Sequence, residues 1–256
     1  MTELHGFLYV PFDFDPGRRY PVIDYIYNGP FTKWVPRTFL DPRGAQSQAL
    51  AQLGFVVMIV DGRGTIGRGK AFQDVVHRRW GQHEIPDHAA ALREVAATRP
   101  WMDTSRVGIH GGSWGGYMTL RAMLTHPDVY HVGVAVAFVA DLIDHASLPI
   151  EGYMGLPEDN PEGFATASNL ALADRLEGKL LLIHGTSDVN ATFSACMKMV
   201  SALVQAGKRH DLVVLPAADH WMQRGPGGEG AYLDRARREY FVEHLEPERV
   251  VPARPE

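Results

Sequence analysis

A single cysteine, Cys196, stands in 256 residues. No disulfide can form within the chain, so the fold must rest on its core, and a reducing compartment is suited to it. Long hydrophobic runs are missing too. The apolar stretch Val132 to Ala140 falls well short of the ~20 residues that a membrane helix needs. The start, Met1-Thr2-Glu3-Leu4-His5-Gly6-Phe7, lacks the basic-then-apolar pattern of a secretory signal, and a cytoplasmic location is expected. Neither sign of charge dominates: 25 basic against 30 acidic residues give a net charge of −5. Mixed along the chain, they leave no electrostatic footprint for nucleic acid or an anionic membrane, and neither partner is expected. Repeats and low-complexity segments are absent, except that residues 247–256 are dense in proline and charge and are expected to form a disordered tail. Residues 1–246 then read as one domain, of a length at which roughly 75% of the unfolded surface is buried.

What is present centres on His110-Gly111-Gly112-Ser113-Trp114-Gly115-Gly116-Tyr117. A short apolar run, Arg106 to Ile109, precedes it and a helical pattern, Met118 to Leu124, follows. Strand, glycine turn and helix are the context that gives a Gly-x-Ser-x-Gly match a mechanism, because the cramped turn lifts the serine hydroxyl above the sheet. Gly111 and Gly115 are read as positions where a side chain would collide with the neighbouring strand and helix. The helix also points its positive end at the place where negative charge would develop.

Along the chain, β-rich runs alternate with helical patterns. Leu8 to Pro11, Pro21 to Tyr27, Phe55 to Val60, Arg106 to Ile109, Val132 to Ala137, Lys179 to His184 and Asp211 to Leu215 read as strands. Ala45 to Leu53, Asp87 to Thr98, the segment after Ser113, Thr192 to Ala206 and Ala231 to Leu245 read as helices. Phe138 to Ala173 is irregular and turn-rich, which suggests loops and short helices near a site. The alternation predicts an α/β fold of the α/β-hydrolase type: a mostly parallel central sheet with helices on both faces. Functional loops gather at the carboxyl ends of such strands.

A serine hydroxyl is a poor nucleophile at neutral pH and needs a base, which in turn needs an acid to fix its tautomer. In this fold the order is serine, acid, histidine, the last two on loops after later strands. Asp188 follows the strand ending at His184, and His220 follows the strand ending at Leu215. With twelve histidines in the chain, chance matches are cheap, yet His184 precedes the acid, His210 precedes its strand and His244 lies in the last helix. Asp174, Asp211 and Asp219 follow no suitable strand. The oxyanion needs two donors: the Trp114 N–H is one, and Tyr27 is a candidate for the second, since Pro30 has no N–H to give.

Three rival patterns differ from it in their chemistry. Gly62, Gly64 and Gly67 fit Gly-x-Gly-x-x-Gly after an apolar strand, with Glu84 and Asp87 downstream, which makes a dinucleotide-binding protein the remote alternative. Yet no clear helix opens after them. Gly64 to Lys70 nearly fits a P-loop, but Ala71 stands where a Mg²⁺-binding hydroxyl is required. His83-Glu84-Ile85-Pro86-Asp87-His88 resembles a zinc helix with one residue too many and a proline inside it. No metal and no cofactor are therefore expected.

With these residues in hand, the chain resembles the catalytic domain of the prolyl oligopeptidase family, and within it the dipeptidyl peptidase IV and acylaminoacyl peptidase branch. The markers are Tyr27-Asn28-Gly29-Pro30, Asp61-Gly62-Arg63-Gly64, Gly112 to Tyr117, Tyr153-Met154-Gly155-Leu156, His184 to Asp188 and Asp219-His220. The resemblance implies a triad of Ser113, Asp188 and His220 with Tyr27 as oxyanion donor. It further implies that Asn190 holds a substrate carbonyl, that Trp114 and Val139 line a pocket and that Tyr153 belongs to the substrate-binding set. Two departures stand out. Family members carry a β-propeller ahead of this domain, and no such segment is found here, so recognition of a free amino terminus is not expected. Where the proline-selective branch has pocket aromatics, this chain has His145 and Pro149, so a tight proline preference is not expected either. The expected activity is hydrolysis of short peptides and small acyl esters through an acyl-enzyme, with a stand-alone carboxylesterase as the alternative. Apolar surface that a partner subunit would cover allows a homo-oligomer.

Overall fold

The computed structural model describes residues 2–38, 40–145, 147–222 and 228–248, apart from the side chains of Ser147 and Leu148. Among the described residues, seven strands make one sheet: β1 (His5–Tyr9), β2 (Tyr20–Tyr25), β3 (Val56–Asp61), β4 (Met102–Gly112), β5 (Val132–Val136), β6 (Lys179–Gly185) and β7 (Asp211–Leu215). Their spatial order is β1-β3-β2-β4-β5-β6-β7. Only β1 runs antiparallel to its neighbour, β3; every other pairing is parallel. Crossovers between parallel strands need helices, and these supply both covering layers. They are α1 (Pro42–Ala51), a single turn α2 (Lys70–Gln73), α3 (Glu84–Ala97), α4 (Trp114–Thr125), α5 (Ser147–Met154), α6 (Pro161–Ala167), α7 (Phe193–Gln205) and α8 (Glu229–Leu245).

All six residues of β3 are buried, as its unbroken apolar run requires of a strand covered on both faces. Val56, Met58 and Val60 join the core that contains α3 and α4 side chains such as Leu92 and Leu120. Val57 and Ile59 turn the other way, toward Leu50 of α1 and Phe241 of α8. The period-2 alternation of one strand thus feeds two cores.

Helix starts differ most from the sequence reading. α1 begins at Pro42, ahead of the expected Ala45, because the Asp41 carboxylate caps the Arg43 N–H at 3.0 Å and proline suits the first turn. α3 begins at Glu84 and takes Pro86 into its first turn, where a missing N–H leaves no hydrogen bond unmade. β4 runs from Met102, well before the apolar Arg106–Ile109 segment, and a register shift at Pro21/Val22 of β2 absorbs its polar opening. The irregular stretch after β5 holds α5, α6 and two 3₁₀ segments, Leu142–Asp144 and Leu170–Arg175. Of the expected tail, Pro247 is buried and packs with Glu248 over Gly54, while 249–256 lie outside the described residues. Among the described residues no helix is long and apolar enough to cross a membrane.

Candidate active site

The turn between β4 and α4 places Ser113 at φ 56°, ψ −119°, a region that a residue with a Cβ occupies only where its surroundings force it. The forcing is visible. The Ser113 N–H donates to the Val136 carbonyl at 2.9 Å, and its own carbonyl accepts from Gly116 and Tyr117 at 2.9 and 3.1 Å. A Cβ on Gly111 or on Gly115 would lie 2.3 Å from the Ile26 carbonyl oxygen, so only glycine lets the end of β2 and the first turn of α4 approach this closely. Trp114, the first residue of α4, has no intrahelical acceptor for its N–H.

Two later strand ends bring the partners. The Ser113 hydroxyl lies 2.9 Å from His220 Nε2, and His220 Nδ1 lies 2.8 Å from Asp188 Oδ2. The other carboxylate oxygen of Asp188 accepts the N–H groups of Asn190 and Ala191, each at 2.9 Å. Burial alone would raise the Asp188 carboxyl, but the hydrogen bond and charge of His220 and the two backbone donors outweigh it and hold the group below the usual carboxylate range. An ionised Asp188 selects the His220 tautomer with hydrogen on Nδ1, which leaves the Nε2 lone pair facing the serine hydroxyl. Such an arrangement can remove a proton from the alcohol and return it to a leaving group.

The expected donors and pocket residues fall as follows. Tyr27 sits against the α4 turn, its Cα 3.3 Å from where a Gly115 Cβ would be. Its ring stacks on Trp34 with centroids 4.6 Å apart, and burial pushes its phenol pKa up, which keeps the hydroxyl a donor at neutral pH. Asn190 is exposed next to Asp188, whose carboxylate accepts its N–H, whereas Val139 is buried in the core. Tyr153 stands farther along, in a wall of rings with Phe31, Trp80 and Trp114. Its hydroxyl donates to the Pro30 carbonyl at 3.4 Å. His145 lies in the fields of Asp188 and His220, and burial lowers its pKa. A groove of about 1010 Å³ between β1 and α3, lined by Leu4, Phe7, Met58 and Val60, contains none of these residues.

The rival motifs are engaged otherwise. The Gly62 N–H donates to Asn28 Oδ1 at 2.6 Å and the Gly64 N–H to the Phe72 carbonyl at 2.9 Å, and only the single turn α2 follows. No phosphate-binding helix opens there. His83 stands at the start of α3 without a side-chain capping bond, and Glu84 turns its carboxylate back to the Gly81 and His83 N–H groups. Among the described residues no group of three or more His, Cys, Asp or Glu is arranged to hold a metal.

Two features lie outside the triad, and only the second escaped the sequence reading. His184 places Nε2 2.7 Å from the Ala191 carbonyl and 3.5 Å from Asp188 Oδ2, so a second imidazole packs behind the acid. Farther away, His88 forms a wholly buried pair with Asp24. The signal for that pair was Asp24 itself, a carboxylate inside the apolar run of β2 that needed a partner to be there.

A strained serine at a strand–turn–helix tip of a mostly parallel sheet, faced by a histidine and an aspartate from later strand-end loops, defines an α/β-hydrolase domain. Within that class the chain belongs to the prolyl oligopeptidase family, whose sequence profile matches residues 43–248. It is 36% identical over 229 residues to dipeptidyl peptidase 8 of Mus musculus and, equally, of Homo sapiens, covering 88% of this chain and 26% of each relative. The crystal structure of Porphyromonas gingivalis dipeptidyl peptidase 4 superimposes with a TM-score of 0.89 at 33% identity, over 95% of this chain and 34% of that one. The chain thus spans about a quarter of the length of these curated relatives.

Proposed function

We propose that this chain is a serine peptidase domain of the prolyl oligopeptidase type, a single domain over residues 1–246, that cleaves short peptides through an acyl-enzyme. One observation carries the reading: the His220 ring bridges Ser113 at 2.9 Å and Asp188 at 2.8 Å. His220 takes the hydroxyl proton as Ser113 Oγ attacks the carbonyl carbon. The Trp114 N–H and the Tyr27 hydroxyl receive the developing oxyanion, and Asp188 stabilises the imidazolium without accepting its proton. The tetrahedral adduct collapses, His220 gives its proton to the leaving amine, and a water activated by the same ring then releases the acid.

Peptide substrates are favoured by what the relatives' names say of them: each is a dipeptidyl peptidase. Asn190, Val139 and Tyr153 are assigned to substrate binding, and a homo-oligomer in solution is part of the same reading. Ester cleavage is a second activity of the same machinery, since an ester leaving group needs less protonation than an amine. Parallel turnover of aminoacyl anilides, short peptides and p-nitrophenyl esters tests the proposal, with Ser113→Ala as control. Hydrolysis of anilides and peptides that vanishes in Ser113→Ala supports it. Ester turnover without any anilide or peptide turnover would make the chain a carboxylesterase instead.

A further inference from the structure

A second aspartate–histidine pair is wholly buried between β2 and α3. Asp24 of β2 and His88 of α3 are both 0% exposed, and Asn28 is 1% exposed. Asp24 Oδ2 accepts from His88 Nδ1 at 2.9 Å and from the Tyr130 hydroxyl at 3.0 Å. At the far edge of the ring, His88 Nε2 lies 3.3 Å from Asn28 Oδ1. The same oxygen accepts the Gly62 N–H at 2.6 Å, and Asn28 Nδ2 donates to the Arg63 carbonyl at 3.1 Å. Those two backbone contacts fix which end of the carboxamide is oxygen, so the ring grips both Asp24 and Asn28 only by donating from both nitrogens.

Asn28 needs such holding. Its φ is +47°, a left-handed conformation that a residue with a side chain adopts at a cost unless contacts impose it. It is also the residue directly after Tyr27. We propose that His88 is a positioning residue for Tyr27: anchored on Asp24, it clamps the Asn28 carboxamide and so fixes the left-handed turn that aims the Tyr27 hydroxyl at the oxyanion. The proposal rests on the reading of Tyr27 as an oxyanion donor. Its physical basis is that a donor must stand within a narrow distance of the developing charge, and a small misplacement caused far from the chemistry lowers rate more than binding.

The test is a double-mutant cycle on an aminoacyl anilide, with kcat and KM measured for Tyr27→Phe, His88→Leu and the two together. Tyr27→Phe is expected to lower kcat about 100-fold, and His88→Leu about 10-fold or more with KM changed less than about twofold. The double variant should lose no more than Tyr27→Phe alone, because an unclamped turn has nothing further to misplace. A residue that merely supports the fold would instead lower kcat by the same factor in both backgrounds. Should His88→Leu not fold, Asn28→Gly tests the same link, since glycine accepts the left-handed turn and only the carboxamide is lost.

An unaltered kcat in Tyr27→Phe would overturn the oxyanion assignment and the positioning role with it. A slow Tyr27→Phe beside a silent His88→Leu, or strict additivity in the double variant, would overturn the positioning role alone.

Discussion

Among the described residues, His220–Asp188 at 2.8 Å and His88–Asp24 at 2.9 Å are imidazole–carboxylate pairs of nearly equal length. In each, Nδ1 faces an aspartate oxygen. Beyond that they diverge. The first stands on loops after β6 and β7, with a ring still 7% exposed whose Nε2 meets an alcohol. The second is sealed between β2 and α3, and its Nε2 meets a carboxamide that has already accepted a backbone N–H. A histidine held by an acid is therefore not in itself a catalytic device. What the free nitrogen faces, and whether substrate can reach it, decides between chemistry and scaffolding.

The sharpest way to break the comparison is to remove what lies beyond the first pair. Ser113→Ala should lower kcat by about 10⁶-fold, by analogy with the loss of a triad serine in subtilisin, and leave thermal unfolding nearly unchanged. Retained turnover in an anilide assay would show that the first pair serves structure as the second does.

Next in size is the matched pair of acid substitutions. Asp188→Asn should cost about 10⁴-fold in kcat, because the amide no longer selects the useful tautomer. Asp24→Asn should act chiefly on stability, by about 3 kcal/mol or more in urea unfolding, because a wholly buried partner is left imperfectly matched. If the two variants were alike in both measurements, the distinction drawn between the pairs would fail.

The smallest effect concerns the helix that carries His88. Burial pushes the Glu84 carboxyl from its ordinary 4.5 up to about 7, against the opposing hydrogen bonds of the Gly81 and His83 N–H groups. A carboxyl that is harder to ionise in the folded state stabilises the fold when protonated. Its contribution is fully present below the unfolded value and is lost as pH rises through the folded one, at roughly 1.4 kcal/mol per pH unit. Between pH 5 and 8 the wild type should lose roughly 2.5 kcal/mol more than Glu84→Gln in urea unfolding. Equal losses would mean that Glu84 is ionised throughout.

The first pair was legible in the sequence and the second was not, for physical reasons. Ser113 announces itself locally, through glycines whose absent side chains let Ile26 and α4 meet. Asp188 and His220 follow from chain order, since a parallel sheet sends every strand-end loop to one edge. The link from Asp24 to His88 spans 64 residues and depends on which face of α3 turns inward. His88 entered the sequence reading only as a misfit zinc ligand. Helix starts moved for a smaller reason: Asp41 with Pro42, and Pro86 within a first turn, are start signals that outrank the first apolar residue.

The convergence of Asp188 and His220 on the Ser113 alcohol is tested most directly by covalent capture. Wild-type and His220→Ala protein, treated briefly with a limiting aryl fluorophosphonate, would be analysed by intact-mass and peptide-level mass spectrometry. One adduct per chain, on Ser113, with labelling slowed by orders of magnitude in His220→Ala, is the predicted result. Labelling of another residue, or of Ser113 at the same rate without the imidazole, would contradict it.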